Sequence, residues 1–304
     1  MINKYFPILD HGFVSLKDIM GNDASIEEAA RVSYGAGTRK KSTTRGLIRY
    51  LMRHKHTTPF EMVEFKFHIC APLFVARQWM RHRTASINEY SGRYSIIPTM
   101  FYCPKRENLT KQSEENNQGR DESLISEEGY RRVTEVARTL RSSNKFLYKS
   151  LLEQDVAREL ARIDLPLSTY TIWYWKVNLH NLFHFLKLRC DEHSQWEIRQ
   201  YSDTIAGIVK EACPLAFEAW LDYGYNASNL TALDKKLINT MRANPEQIEK
   251  LAAEIGMSKR EIKEFYDKIT PPSIKDFSLD PSLAKSGEYF EQKVEEYTIC
   301  PQKK

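Results

Sequence analysis

Two segments of the chain alternate apolar and polar residues with a period of two, which is typical of β-strands that have one buried face. In the first, the apolar residues from Val63 to Ile69 alternate with charged or polar ones. In the second, residues 169–177, β-branched and aromatic side chains recur at the same interval. The sequence therefore predicts two strands that each contribute one face to a hydrophobic core.

Helical periodicity dominates the rest of the chain. Leu179, Leu182, Phe183 and Leu186 share one helical face, and Asn178 before them is a favourable N-cap. Other helices are predicted from the same periodicity and from residues that favour helix starts, including possible capping boxes, at Ser25, Thr44, Pro72, Ser126, Asp155 and Ser194. Few strands, many helices and no regular βαβ repeat indicate an α+β fold.

Three regions depart from this pattern. Residues 104–123 are mostly charged or amide side chains and predict a mobile loop. Beyond about residue 226 the pattern changes, and residues 251–258 predict the end of one helix, a turn with glycine and the start of another. The proline-containing C-terminal residues predict an extended arm. We therefore divide the chain into a main domain, 1–225, and a helical C-terminal extension and arm, 226–304.

Composition narrows the class of protein. The 304 residues are 41% hydrophobic and 28% charged, which suits a chain with a packed core. The net charge of +5 suits a nucleotide, a polyanionic cofactor or a nucleic acid without choosing among them. The longest uncharged apolar run, residues 69–76, is too short to span a membrane, and the N-terminus lacks a signal-peptide pattern. We expect a cytoplasmic protein, and the five cysteines, which form no C-x-x-C pair, to be reduced thiols.

The densest cluster of chemically capable side chains lies in residues 78–94. It contains three arginines, and arginine binds phosphate through planar, bidentate hydrogen bonds. Gln78 and Arg81 are three residues apart at a predicted helix end and share a face, while Gly92 allows close approach of a ligand to the backbone. A basic run is also typical of a solvent-exposed loop. The chain has no phosphate-binding P-loop motif, and residues 35–37 lack the third glycine of a dinucleotide-binding fingerprint.

The same segment carries a family resemblance. Arg81-His82-Arg83, followed after seven residues by Ser91, resembles the R-H-R-x7-S signature of the flavin-dependent thymidylate synthases. Other blocks resemble that family in the same order along the chain, namely residues 30–33 (A-R-V-S), 56–61 (H-T-T-P-F-E), 162–166 (R-I-D-L-P), Asn178 and 188–197. The resemblance covers roughly residues 20–223 and leaves the C-terminal extension without an assigned role.

The resemblance implies a function and a fold. Members of this family methylate dUMP reductively to dTMP, with methylenetetrahydrofolate as the one-carbon donor and FAD reduced by NADPH. They use no enzyme cysteine as nucleophile, and no cysteine lies within the basic signature of this chain. The implied fold is an antiparallel sheet with flanking helices in residues 1–225, and the implied assembly is a homotetramer that shares active sites between subunits.

The resemblance also implies positions that contact dUMP. These fall on Gln78, Arg81, Glu89, Ser91, Gly92, Arg93, Arg162 and Arg189. Arg189 is the implied catalytic residue, since a fixed guanidinium beside a uracil carbonyl would stabilise an anionic ring and make C5 more nucleophilic. By themselves, Arg162 and Arg189 could equally be cations that satisfy helix C-terminal carbonyls.

The implied flavin contacts form a second set. They fall on Ser33, His56, Thr58, Arg81, His82, Arg83, Asn88, Glu89, Asn178, His180 and His184. His180 and His184 depart from the family pattern, in which an arginine is frequent at the first position and an amide occurs at the second. Their i, i+4 spacing, with His193 following, could also hold zinc, but the chain has no H-E-x-x-H motif, and we expect no metal.

A second hypothesis is a nucleic-acid-binding protein. The basic R-H-R run, the many aromatic residues and the helix-turn-helix-like segment at 251–266 motivate it. Against it, the charge excess is small for a chain of this length, and residues 258–267 carry acidic as well as basic side chains. We therefore expect small-molecule substrates and no nucleic-acid partner.

Overall fold

The computed structural model describes residues 1–33, 42–114, 118–241, 248–272 and 275–298. The incomplete fingerprint at residues 35–37 and Cys300 lie outside these ranges. The chain divides into two compact units, one formed by the described parts of 1–217 and 277–304, the other by 218–276. The C-terminal arm lies in the first unit, and the domain division at residue 226 stays a prediction.

A five-stranded antiparallel sheet forms the centre of the first unit. Its strands follow the spatial order β1 (Tyr5–Ile8), β2 (Gly12–Met20), β3 (Glu64–Pro72), β7 (Tyr170–Asn178) and β4 (Ser86–Glu89). The two strands predicted from alternation, β3 and β7, are confirmed and pair with each other. The expected α+β fold with an antiparallel sheet is also confirmed.

The helices have the following bounds: α1 Asp23–Arg31, α2 Thr44–Arg53, α3 Thr58–Glu61, α4 Leu73–Trp79, α5 Glu127–Glu153, α6 Arg158–Ala161, α7 Leu179–Arg189, α8 Trp196–Ala212, α9 Pro214–Trp220, α10 Ala232–Met241, α11 Ile248–Glu254, α12 Lys259–Ile269 and α13 Gly287–Tyr297. Asn178 caps α7 as predicted, since its side chain accepts a hydrogen bond from the Asn181 amide. No described helix is both long enough and apolar enough to cross a bilayer.

Aromatic packing fixes one face of the sheet against α4, α7 and α8. The fully buried Trp79 of α4 contacts Trp173 and Trp175 of β7 edge-on and Phe185 of α7 at a tilt, with ring centres 4.8–5.3 Å apart. Each such ring buries a large apolar area, and edge-to-face geometry adds attraction between the rings. This cluster holds the end of α4, and so the start of the basic segment, at a fixed place beside α7.

The prediction of a mobile loop at residues 104–123 is wrong, because part of this segment forms a β-hairpin. Within its described residues, β5 (Thr110–Gln112) pairs antiparallel with β6 (Arg120–Leu124). The Arg120 guanidinium anchors the hairpin by donating to the Asn108 carbonyl (2.7 Å) and to Glu197 Oε2 (2.5 Å). A polar composition therefore does not imply disorder here, because charged hydrogen bonds to fixed partners hold the segment.

Two expected capping boxes also take another form. Helix α1 begins at Asp23, and its capping box joins Asn22 with Ser25 rather than Ser25 with Glu28. Helix α8 begins at Trp196 without a side-chain cap, so Ser194 and Glu197 do not form the predicted box. Glu197 is instead buried and accepts a hydrogen bond from the Tyr102 hydroxyl at 3.0 Å as well as from Arg120.

The prediction of an extended C-terminal arm is wrong for part of its length, because the arm also contains a helix. The arm forms a backbone bridge between Lys285 and the edge strand at Tyr5 and then turns into α13. Phe290 of α13 stacks on Tyr5 with ring centres 5.5 Å apart, and Lys293 donates to the Asp10 carbonyl at 2.8 Å. The arm thereby covers an otherwise unpaired sheet edge, as natural β-proteins commonly require.

Helix α5 presents an exposed apolar stripe. Of its 27 residues only Tyr148 is buried. Val133, Val136, Leu140 and Leu147 recur at helical spacing, with exposed fractions of 49%, 53%, 58% and 39%. Several exposed apolar side chains on one helix are typical of a surface that contacts another protein.

Helices α10, α11 and α12 lie in the second unit. The predicted helix, turn and helix are present, with Gly256 at φ +88° in the turn. Leu237, Ala252, Met257 and Phe265 form its buried core. The hydrogen bond from Lys268 Nζ to the buried Asp234 (2.8 Å) joins α12 to α10.

Candidate active site

The basic segment follows directly from the end of α4. The helix ends at Trp79, whose ring is fixed in the core, and Met80 caps it through a hydrogen bond to Ala76. Arg81 and Arg83 then point away from the core as exposed residues, while His82 between them is half-buried. Local sequence therefore explains the arrangement: the apolar helix ends, and two charged residues take the solvent side of the turn while one ring faces inward.

The inward-facing His82 contacts the predicted catalytic residue. Arg189 is the last residue of α7, and its Nε donates a hydrogen bond to His82 Nε2 at 3.1 Å. One terminal nitrogen of the same guanidinium donates to the Gln78 carbonyl at 3.3 Å. The backbone carbonyl of Arg189 accepts from the Ser202 hydroxyl at 2.8 Å. Three elements, α4, α7 and α8, thus fix Arg189 from both its backbone and its side chain.

This geometry determines the state of the histidine. Because Arg189 has only donors, His82 Nε2 must be the acceptor, so the ring is neutral and carries its proton on Nδ1. Burial, the Arg189 charge and then His184 lower the pKa of His82 to about 4. Burial also lowers the pKa of Arg189 from its ordinary value, although the guanidinium stays charged at neutral pH. The pair is therefore a fixed cation held by a neutral acceptor.

A cavity of about 310 Å³ opens beside this pair. The predicted flavin and nucleotide residues that line it are Arg81, His82, Arg83, His184 and Arg189. The side chain of Asn181 and the apolar edges of Trp175 and Leu188 complete it. Cationic donors combined with flat apolar walls suit a ligand that has both phosphates and a planar ring.

Three of the predicted nucleotide residues line a second cavity, of about 380 Å³. Glu89, Gly92 and Arg162 lie there, together with Thr171, which sequence reasoning missed. The Thr171 hydroxyl donates to Glu89 Oε1 at 2.6 Å and orients that carboxylate. Thr171 lies on β7, and its only signal in the sequence is its place in the predicted strand.

Gly92 has a packing role at this second cavity. A Cβ at this position would lie 2.5 Å from Ile97 Cδ1 and 3.1 Å from Arg162 Cδ. Glycine therefore lets the signature segment lie directly against the side chain of Arg162. The close neighbours of Gly92 within the chain are Ile97 and Arg162, and the approach of a ligand to its backbone stays a prediction.

Ser91 and Arg93 lie at the rim of the second cavity. The Ser91 hydroxyl accepts the Arg93 amide at 3.3 Å, which shapes the turn after β4. The exposed Arg93 guanidinium donates to Glu159, a lining residue, at 3.1 Å. An ion pair this exposed is weak, so Arg93 could exchange Glu159 for a stronger anion such as phosphate at little cost.

Gln78 is not a lining residue of either cavity. Its side-chain amide donates to Gln195 Oε1, a residue that sequence reasoning did not single out. Gln195 lies within the block at residues 188–197, so the signal that could have found it was the block itself. Gln78 thus links α7 to the start of α8. Its carbonyl accepts a hydrogen bond from Arg189 at the end of α7, and its side chain donates to Gln195, which precedes α8.

The remaining predicted flavin residues lie elsewhere on the chain. Ser33 follows the end of α1, and exposed His56 stacks on Tyr50 between α2 and α3. Thr58 is the first residue of α3. Asn178 and His180 lie at the start of α7, which contacts α3, and Asn88 lies on β4. None of these six residues lines either cavity, although the Asn178 side chain accepts a hydrogen bond from Asn181, which lines the first.

The cysteines and the metal-ligating side chains were considered as a possible nucleophile and a possible metal site. Cys70 and Cys213 are buried, and burial raises the pKa of the Cys70 thiol far above its usual range and that of Cys213 to about 12. Neither lines either cavity. Among the described residues, no group of three or more metal-ligating side chains is close enough to hold an ion.

Comparison with known proteins places this site in a family. A family model described as "Thymidylate synthase complementing protein" matches residues 15–215, about two thirds of the chain. That range contains every predicted site residue. The chain belongs to this family. The resemblance to the flavin-dependent thymidylate synthases that the signature indicated is confirmed.

Relatives in the thymidylate synthase complementing protein family match well beyond the signature. A flavin-dependent thymidylate synthase from Ruegeria pomeroyi is 50% identical over 267 residues, covering 86% of this chain and 87% of the relative. One from Dictyostelium discoideum is 49% identical over 267 residues, covering 85% and 84%. Because 267 residues exceed the predicted 1–225 domain, the similarity extends into the C-terminal region, further than the motifs indicated.

A solved structure of the same fold has a nucleotide bound. It is the UMP/dUMP methylase PolB from Streptomyces cacaoi with 5-Br UMP, at 33% identity and a TM-score of 0.64. The match covers 72% of this chain and 98% of PolB. Over the matched part, this chain therefore shares its fold with a solved UMP/dUMP methylase.

Proposed function

We propose that the protein methylates dUMP reductively to dTMP, with methylenetetrahydrofolate as the one-carbon donor and NADPH-reduced FAD. The observation that carries the proposal is the fixed guanidinium of Arg189, held by neutral His82 and the Gln78 carbonyl beside a cavity lined by cations. The names of the relatives, flavin-dependent thymidylate synthases and a dUMP methylase, support the same substrate.

Arg189 would act on the pyrimidine ring. Its charge is fixed before the substrate binds, so little reorganisation is needed as negative charge develops on the uracil oxygens. Stabilising that charge makes C5 more nucleophilic toward the one-carbon unit. The partial burial of the guanidinium lowers the local dielectric and strengthens this effect.

The second cavity would hold the rest of the nucleotide. Arg162 beside Gly92 supplies a cation for the phosphate, and Ser91 and Arg93 at the rim supply further donors. Glu89, oriented by Thr171, would accept a hydrogen bond from the sugar or the base. With Gln78 and Arg81, these are the residues that we propose for dUMP.

The first cavity fits part of a flavin. Its arginines suit phosphate, and its apolar walls suit a ring system, so the residues present match the chemistry of FAD. Bound and reduced, FAD would supply the reducing equivalents for methylation. The chain's own part is to hold it through Arg81, His82, Arg83 and His184.

No cysteine is proposed as nucleophile. The buried Cys70 and Cys213 have raised thiol pKa values, so almost none of either is thiolate at neutral pH. Cys103 is exposed but lies in neither cavity. Catalysis would therefore depend on the arginine rather than on covalent attack at C6.

We further propose a homotetramer with shared active sites. The exposed stripe on α5, Val133 to Leu147, supports self-association. Ser33, His56 and Thr58 line neither cavity. This supports a flavin site completed by a second chain, because the proposed flavin contacts include these residues as well as those of the Arg189 cavity.

The nucleic-acid alternative gains no support from the second unit. On α12, Arg260 pairs with Glu264 at 3.0 Å, and Lys268 pairs with Asp234. These pairs neutralise part of the basic surface that duplex binding would need.

The proposal is tested by direct product analysis. Purified protein is incubated with dUMP, methylenetetrahydrofolate, FAD and NADPH, and dTMP is measured by chromatography, with each component omitted in turn. We expect dTMP only in the complete mixture. Formation of dTMP without FAD, or its absence from a folded, flavin-loaded protein supplied with all components, would contradict the proposal.

A further inference from the structure

A third cavity, of about 420 Å³, lies between the β5–β6 hairpin and the start of α8. It is separate from the two cavities already described and contains none of the predicted site residues. Lys111, Arg120 and Arg199 contribute cations to its lining, and Glu192 contributes an acid. The cavity is therefore polar and biased toward positive charge.

Arg199 contributes a charge to this cavity that no described carboxylate neutralises. The residue is half-buried, and its guanidinium has no ion pair among the residues that the structure describes. A guanidinium in this situation is suited to an anionic ligand, which it can bind through charge-assisted hydrogen bonds. Arg120, by contrast, is already neutralised by Glu197. Its guanidinium lies 5.9 Å from the centre of the Trp196 ring, so Arg120 lines the cavity without offering an unpaired charge.

The cavity adjoins the Arg189 cavity through two contacts. Gln195, which lines the third cavity, accepts a hydrogen bond from the side chain of Gln78, whose carbonyl holds Arg189. The Ser194 hydroxyl of the third cavity donates to the Leu188 carbonyl at 2.5 Å, and Leu188 lines the Arg189 cavity. Only the short stretch between α7 and α8 and Gln78 separates the two.

We infer that the third cavity binds the anionic tail of the folate co-substrate. The inference rests on the proposed function. The reactive end of the folate must reach the pyrimidine beside Arg189, so its other end, the glutamate carboxylates, must lie beyond that cavity. A cation-lined cavity on the far side of Gln78 is where such carboxylates would find Arg199 and Lys111. The phosphates of NADPH share the anionic chemistry and are the alternative source.

The test measures ligand binding to the flavin-loaded, dUMP-bound protein. Tetrahydrofolate with one glutamate, tetrahydrofolate with five glutamates, and NADPH are titrated in turn by calorimetry. The variants are Arg199→Gln and Lys111→Gln. Lys210→Gln is the matched control, because Lys210 is an exposed cation of the same helix, α8, outside the cavity.

We expect the five-glutamate folate to bind the unmodified protein about tenfold more tightly than the one-glutamate form, as charge-assisted hydrogen bonds would produce. Arg199→Gln should remove most of this difference and Lys111→Gln part of it, while Lys210→Gln should keep it. Flavin retention and the affinity for dUMP should not change in any variant.

Three results would overturn the inference. Equal affinity for both folates, or a tail preference that survives in Arg199→Gln, would show that the cavity does not bind the tail. Weaker NADPH binding with unchanged folate binding in Arg199→Gln would assign the cavity to the dinucleotide phosphates instead. Folate binding with dTMP formation but no tail effect would refute this inference alone, whereas no folate binding at all would refute the proposed function too.

Discussion

The hydrogen bond between His82 and Arg189 gives the sharpest prediction about catalysis. Replacing His82 by leucine removes the acceptor at 3.1 Å from Arg189 Nε and leaves a partly buried guanidinium with one fewer partner. Replacing it by glutamine keeps an acceptor oxygen near the same place. The two variants therefore separate loss of the hydrogen bond from loss of the imidazole ring.

The size of the effect follows from the contact. A hydrogen bond to a charged group contributes about 1.5 to 3 kcal/mol. If this bond orients Arg189 toward the transition state, its loss should lower kcat by about 10- to 150-fold, since each 1.36 kcal/mol corresponds to about a factor of ten. The Gln78 carbonyl still holds the other side of the guanidinium, so activity should fall without being abolished.

The assay is steady-state dTMP formation at saturating flavin, with the flavin content of each variant measured by absorbance. Because His82 is also a proposed flavin contact, kcat is compared only among fully loaded samples. His54→Gln is the control, since His54 is an exposed histidine at the end of α2 outside both cavities. We expect glutamine to retain more activity than leucine, and the control to be unchanged.

The pH dependence supplies a second readout. The pKa of His82 is lowered to about 4 from its ordinary 6.5, so the neutral ring persists from pH 7 down to about 5. Activity that needs this acceptor should be lost only as the pH falls through about 4. The free energy of unfolding depends on pH in the same direction. Because the unfolded chain takes up a proton at His82 near pH 6.5 and the folded chain only near pH 4, the stability is greatest above about pH 6.5 and declines as the pH falls toward 4. A kcat titration near pH 6.5 that disappears in His82→Gln would refute this account, as would equal activity of the leucine variant.

Four further outcomes are expected. Arg189→Ala should nearly abolish turnover while the flavin stays bound, and a variant that loses flavin but keeps turnover would contradict the role of Arg189. Ser91→Ala should raise the KM for dUMP more than it changes thermal stability, and an unchanged KM would count against nucleotide contact. Each single Cys→Ala variant, including that of exposed Cys103, should remain active, so a folded, flavin-bound but inactive one would end the thiol-free mechanism. Asp23→Ala should lower the free energy of unfolding by about 2 to 4 kcal/mol, because the Asp23 carboxylate accepts the Leu215 and Ala216 amides at 2.9 Å each; an unchanged urea midpoint would refute this.

Period-two and helical patterns predicted the elements that carry the site. Strands β3 and β7, the long helix after Ser126 and the Asn178 cap of α7 are where the sequence indicated. Strands β3 and β7 and helix α7 bury a continuous apolar face, so hydrophobic periodicity alone identifies them. Helix α5 has the same periodicity, although its apolar residues are exposed.

Long-range polar contacts could not be predicted in the same way. Glu197 looked like half of a capping box, but its buried carboxylate binds Tyr102 and Arg120, which are far away in sequence. The β5–β6 hairpin was missed for the same reason, because Arg120 anchors it through that contact. Such pairings depend on tertiary structure, which a local pattern does not contain.

The candidate site shows the same division. The family resemblance implied Arg81, His82 and Arg189 as site residues, and the fold brings His82 and Arg189 into direct contact across 107 positions. Thr171 and Gln195, which orient predicted site residues, carried no signal of their own. Residues that position others are identified by geometry rather than by residue type.

We propose that flavin and dUMP occupy one site around Arg189. The absorbance spectrum of the protein, recorded after incubation with FAD, desalting and titration with dUMP, decides whether they do. We predict a retained flavin band that shifts with dUMP and not with dTTP or UTP at equal concentration. Folded protein that retains no flavin, or a flavin band that dUMP leaves unchanged, would contradict the account.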